Sequence, residues 1–196
     1  MRPMSASFFV ALVVAATAIS VPRVTAGTHE DGIMAAAESG RHLTTMELYR
    51  LYKGKSWLWK DGVAYFRISK REFMGWSKPP GPEANYADGS WFLPGRGKLC
   101  FRATWRSTKW SVEDLNCFEH RQDDRGATFM RKLPDGEWWA FEDVPPNAWD
   151  EVHKVRRGNH AASGYKRNKA YVESNREPDP CLKSSRPQVL CKLFGP

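Results

Sequence analysis

Apolar and polar positions alternate with a period of two along most of the middle of this chain, and Gly, Pro or Asp-Gly clusters break the alternation every few residues. That pattern predicts short antiparallel strands over 56–59, 63–68, 72–76, 90–93, 98–105, 114–121, 127–133 and 137–141. Asp61-Gly62 reads as a two-residue hairpin turn. Pairing across it sets Trp57 and Trp59 on one face with Ala64, Phe66 and Ile68, leaving Lys60 and Arg67 on the other. Pro134-Asp135-Gly136 marks a second such turn.

The segment about Thr108–Lys109 has the most constrained register. Folding it symmetrically sets Cys100 opposite Cys117. The same register gathers Leu99, Phe101, Ala103, Trp105 and Phe118 on one face, with Arg102, Thr104 and Glu119 on the other. Before the strands, Thr44-x-x-Glu47 is a capping box opening a short amphipathic helix through Leu48, Leu51 and Tyr52, and Gly54 ends it. The expected fold is mainly β. It is an antiparallel meander forming a curved sheet or small up-and-down barrel, closed on one side by one short N-terminal helix.

The ends of the chain change the picture. Residues 1–26 carry Arg2, an apolar run from Phe8 to Ile19 and the small-residue site Val24-Thr25-Ala26, the pattern of a cleavable secretory signal. After cleavage no run is apolar enough for a transmembrane helix. Residues 27–43 read as a flexible lead-in and 44–151 as a disulfide-stapled β domain. Residues 152–196 read as a basic irregular tail, with a short helix near Tyr165–Tyr171. Charge supports that last boundary. Residues 27–151 hold 18 Lys and Arg against 19 Asp and Glu, whereas 152–196 hold 10 against 3, and all nine tryptophans lie between Trp57 and Trp149.

In an oxidising compartment the four cysteines pair, and locality favours Cys100–Cys117 and Cys181–Cys191 among three connectivities. Neither spacing suits a zinc module.

The order Glu47-Leu48-Tyr49-Arg50-Leu51-Tyr52, Ser56-Trp57-Leu58-Trp59-Lys60-Asp61-Gly62, Tyr86-Ala87-Asp88-Gly89-Ser90-Trp91, Leu99-Cys100-Phe101, Cys117-Phe118 and Gly136-Glu137-Trp138 resembles a family of exported proteobacterial proteins, domain of unknown function 995. The likeness runs over about residues 41–160. It implies the Cys100–Cys117 pair and the Gly89-x-Trp91 motif as structural features, and no activity, cofactor or catalytic residue.

Candidate chemistry is sparse. His120 lies beside Glu119, but neighbours on a strand point to opposite faces, so the two form no dyad and His120 reads as a core-edge residue. No metal-ligand spacing, nucleophile elbow or phosphate loop occurs, and no cofactor is expected. Trp138, Trp139 and Trp76 are the candidate ligand contacts, since adjacent tryptophans on a strand cannot both face inward. Arg156, Arg157, Lys166, Arg167 and Lys169 are candidates for an anionic surface. The function expected is a non-enzymatic binding module, periplasmic or secreted. Its partner would be an anionic polysaccharide, lipopolysaccharide or membrane surface rather than nucleic acid. An envelope hydrolase with dispersed carboxylates and a small apolar-ligand carrier are the alternatives.

Overall fold

The computed structural model describes residues 29–176. The signal sequence expected over 1–26, and Cys181 and Cys191, lie outside the described residues. The capping box forms as read. Thr44 Oγ1 accepts from the Glu47 amide at 3.2 Å and the Glu47 carboxylate accepts from the Thr44 amide at 2.7 Å. This starts helix α2 (Thr45–Tyr52), which follows α1 (His29–Ser39) and the two-residue β1 (Arg41–His42). Gly54, at φ +65°, supplies the left-handed turn beyond the helix.

Eight strands then run as a meander: β2 (Lys55–Trp59), β3 (Gly62–Phe66), β4 (Glu72–Ser77), β5 (Asn85–Gly95), β6 (Lys98–Ser107), β7 (Ser111–Gln122), β8 (Thr128–Lys132) and β9 (Trp138–Glu142). After a short 3₁₀ turn (Glu151–Lys154), β10 (Val155–Arg157) pairs back onto β2, and α3 (Ala162–Ser174) follows. The order is β10-β2-β3-β4-β5-β6-β7-β8-β9, with β1 added to β7. The sheet is a half-barrel: it curves, but β9 and β10 do not pair.

Register follows the alternation. Cys100 sits opposite Cys117 and the two are disulfide-bonded, with Leu99 opposite Phe118. At the first hairpin Lys60 and Asp61 form the turn and Trp59 pairs with Gly62. The turn is centred one residue earlier than expected, yet parity is kept and Trp57 still shares a face with Ala64. Gly62 serves close approach, because a Cβ there would run into the Trp76 carbonyl and the Trp59 ring.

The core lies inside the curve. Leu48 and Tyr52 of α2 enter one end of the half-barrel and pack on Phe66, Phe73, Trp91, Leu99, Phe101 and Met130. Trp91, of the Gly89-x-Trp91 motif, is buried with its indole N–H on the Arg67 carbonyl at 2.8 Å. A Cβ on Gly89 would strike the Arg102 carbonyl of the neighbouring strand, so the position admits only glycine without the sheet moving.

Two expected irregular segments are ordered. Residues 29–42 are a helix and a strand rather than a flexible lead-in. Ile33, Ala36 and Ala37 of α1 cover Ala127, Phe129 and Trp138 on the outer face, and Arg121 donates to the Glu38 carbonyl at 2.9 Å. Of the tail expected over 152–196, the described part is largely ordered, and the short helix expected near Tyr165–Tyr171 forms within the longer α3. The Gly158 amide donates to the Gly54 carbonyl at 3.0 Å, and Ser56 Oγ donates to the Gly158 carbonyl at 2.9 Å. Gly164 of α3 lies against the Trp76 ring. Lys166 and Arg167 stay in solvent on the far side of that helix, which is why composition alone reads the segment as loose.

Candidate functional site: an aromatic trough

Because α2 fills only one end of the half-barrel, the other end stays open as a trough of about 550 Å³. Its floor is Ala64, Phe73 and Phe101, and its walls carry the indoles of Trp57, Trp59, Trp105 and Trp110. Alternation puts those side chains there: Trp57 pairs with Ala64 across β2–β3, Ala87 with Trp105 across β5–β6, and Trp105 with Val112 across β6–β7. Trp59, Trp110 and Val112 are exposed at the lip. A patch of large apolar side chains left open to water marks a contact surface more often than a random surface does.

Polar groups are few and placed at the rim: Asn85, Asp114, Asn116, Lys132 and Glu151. Glu151 accepts from the Trp57 indole N–H at 2.9 Å and from Lys154 at 2.5 Å, which fixes the Trp57 ring. Asp114 accepts from Asn116 Nδ2 at 2.7 Å. The chain crosses the open side between β9 and β10 in a loop closed by buried Asp150, whose carboxylate accepts from the amides of Asp143 (3.2 Å) and Asn147 (3.0 Å).

None of the three tryptophans singled out from the sequence lines the trough. Trp138 faces outward between the guanidinium groups of Arg121 and Arg131, 5.5 and 4.7 Å from its ring centre. Trp139 faces inward, 6.4 Å from Phe118. Trp76 is covered by α3. Of the trough tryptophans, the alternation sets Trp57, Trp59 and Trp105 on the core face and gives no place to Trp110. Alternation says which way a side chain points; it does not say whether the space it points into is filled.

The cationic set divides. Arg156 and Arg157 are exposed on β10, Lys166 and Arg167 are exposed on α3, and Lys169 leans over the rings of Tyr86 and Tyr165. His120 is fully buried, and burial pushes its imidazole down to about 4. Among the described residues no group of three or more His, Cys, Asp or Glu is arranged to hold a metal ion. No helix among them is long and apolar enough to cross a membrane.

Fold and site together define an antiparallel half-barrel stoppered at one end by a helix and open at the other as an aromatic trough. The chain belongs to the family described as a protein of unknown function, DUF995, which it matches over residues 10–161. That span takes in α1 and β10 and stops where α3 begins. No curated protein and no solved structure matches it.

Proposed function

We propose that this protein is an exported, non-enzymatic binding module that holds an apolar or ring-bearing ligand in the trough. The observation that carries this reading is the trough itself. Four indoles surround an apolar floor, and the fold leaves Trp59, Trp110 and Val112 exposed at its lip, although burying them would stabilise the chain. The Cys100–Cys117 disulfide suits an oxidising compartment. The exposed cations Arg156, Arg157, Lys166 and Arg167 supply a salt-sensitive attraction to an anionic envelope surface, whether polysaccharide, lipopolysaccharide or phospholipid.

The hydrolase reading draws on two carboxylates, Asp114 and Glu151, lining one trough. Both are already held, by Asn116 in one case and by Trp57 and Lys154 in the other. Such bonds position a carboxylate for structure rather than leave it free to move a proton.

The test is a fluorescence titration of the full chain with N-phenylnaphthylamine, an apolar probe, alongside co-sedimentation with isolated bacterial envelope at two salt concentrations. Saturable probe binding that Trp110→Ala weakens about tenfold, or about 1.4 kcal/mol, supports the trough. An unchanged affinity in Trp110→Ala, or no saturable binding, overturns it.

A further inference from the structure

One wall of the trough is an unpaired strand edge. On its β6 side β7 is paired from Ser111 to Glu119, but on its β8 side only from Phe118 to Gln122. Beyond Phe118 the Leu133 amide donates to the Cys117 carbonyl at 2.8 Å, and the chain then turns away. Among the described residues no strand lies on that side of Ser111–Asn116.

The direction of the free groups follows from that last bond. In an antiparallel strand the N–H and C=O of one residue point to the same side, and successive residues alternate. Since the Cys117 carbonyl faces β8, the amides and carbonyls of Leu115, Glu113 and Ser111 face the vacant side, and all three residues are exposed. The side chains of the intervening Val112, Asp114 and Asn116 line the trough. An added strand would thus meet unpaired backbone at every second position and deliver every second side chain onto the indoles.

We propose that this edge takes an extended basic and apolar segment of a partner protein as an added antiparallel strand. The proposal rests on the trough reading and names its ligand class. Charge selects the occupant. Glu113 and Asp114 lie side by side on the edge, one facing outward and one into the trough, and among the described residues the ion pair of Glu113 is a long one, to Arg102 at 3.9 Å. A guest residue opposite either is favoured when cationic, and one opposite Val112 when apolar. A second copy of this chain is a poor occupant. Antiparallel pairing of two such edges about these acids sets either Glu113 against Glu113 or Asp114 against Asp114 of the other copy, the repulsion by which exposed edges avoid self-pairing. A glycan would use the indoles but leave the backbone groups unpaired.

The test uses the full oxidised chain and the peptide acetyl-Phe-Val-Lys-Arg-Ile-Thr-amide, with acetyl-Phe-Val-Glu-Glu-Ile-Thr-amide as its charge-reversed counterpart. The expected result is at least tenfold preference for the basic peptide. Its binding slows amide exchange at Ser111, Glu113 and Leu115 and leaves Val112, Asp114 and Asn116, already bonded to β6, unchanged. Glu113→Pro removes one edge-facing N–H at a position where proline is tolerated. It should weaken the peptide at least tenfold while N-phenylnaphthylamine binds as before.

Several results overturn the proposal. One is naphthylamine binding without peptide binding, which leaves the trough reading standing; loss of both removes that reading as well. Others are peptide binding without alternating protection, or binding indifferent to Glu113→Pro. Protection of Ser111, Glu113 and Leu115 before any peptide is added, in a dimer or in a monomer, gives the edge to a second copy or to the chain itself and also overturns it.

Discussion

The Tyr52 hydroxyl lies 2.7 Å from Nε2 of His120, and both side chains are fully buried although 68 residues separate them. His120 Nδ1 is 3.3 Å from the Gly97 carbonyl, so Nδ1 carries the proton and Nε2 accepts from Tyr52. The pair ties α2 to β7 in the middle of the core. A proton added at Nε2 would have to displace the Tyr52 O–H without a route to water.

This bond makes stability depend on pH in a definite direction. Burial lowers His120 to about 4 in the folded chain against 6.5 when exposed. The contribution is whole above 6.5 and is lost as pH falls toward 4, because only the unfolded chain takes up the proton there. The gap corresponds to about 3 kcal/mol. His42, lowered chiefly by burial and then by Arg121, adds in the same direction. Urea unfolding of His120→Gln between pH 7 and pH 4 should show a much shallower loss than the unsubstituted chain. Equal slopes would place His120 outside the linkage.

Glu119 anchors the outer face. Its carboxylate is almost fully buried and accepts from Arg121 Nε at 2.9 Å and from Arg131 at 2.9 and 2.6 Å. Burial alone would raise this group, but the bonds from Arg131 and Arg121 outweigh it and hold the carboxyl below its ordinary value. Its stabilisation is therefore present above the ordinary glutamate range and lost as pH falls below it. Glu119→Gln leaves two guanidinium groups facing each other over Trp138. The full cost of breaking a buried pair is reduced because both arginines are partly exposed, giving about 2 kcal/mol. Arg41→Ala, at the exposed Arg41–Glu47 pair, should cost under about 1 kcal/mol. Chemical denaturation of the two variants ranks them; equal losses would show that Glu119 is not a buried anchor.

What the sequence made legible follows from what its pattern encodes. The Cys100–Cys117 register satisfied a cysteine pairing and a hydrophobic face at once, so a slip by one residue would have broken both. The half-barrel was legible as a meander because each turn carried its own residues. α1 was not, because it buries mainly small side chains (Ala36 and Ala37 beside Ile33) against the outer face of β8 and β9. β10 was missed because an edge strand with Arg156 and Arg157 in water has the composition of a tail. The trough was half legible: Trp57, Trp59 and Trp105 were placed on the core face, Trp110 was not, and only the unclosed sheet shows that Trp59 and Trp110 stay exposed.

Removing the disulfide tests the hairpin that forms the trough wall. Cys100 and Cys117 close a loop with a sequence separation of 17, for which loop entropy gives about 3 kcal/mol. Cys100→Ala combined with Cys117→Ala should lower the unfolding midpoint, and dithiothreitol should lower the unsubstituted chain to match it. If the reductant shifts the double variant equally, the loss comes from Cys181 and Cys191 or from the solvent, not from this bond.

The attachment of α3 is the feature most at odds with an irregular tail, and one glycine carries much of it. Gly164 rests on the Trp76 ring so closely that a Cβ would overlap the indole. One turn on, the Asn168 side-chain amide donates to the carbonyls of Lys78 (2.7 Å), Asn85 (3.0 Å) and Ser77 (3.3 Å). On an exposed helix Gly→Ala would gain up to about 1 kcal/mol in propensity. Here it must push α3 or Trp76 aside, which overpacking data put at about 1–3 kcal/mol of loss. Asn168→Ala should lose a similar amount by leaving partly buried carbonyls without this donor. Both variants should unfold at lower urea, with faster exchange of the β4 and β5 amides. A stabilised Gly164→Ala would mean that α3 does not dock on Trp76.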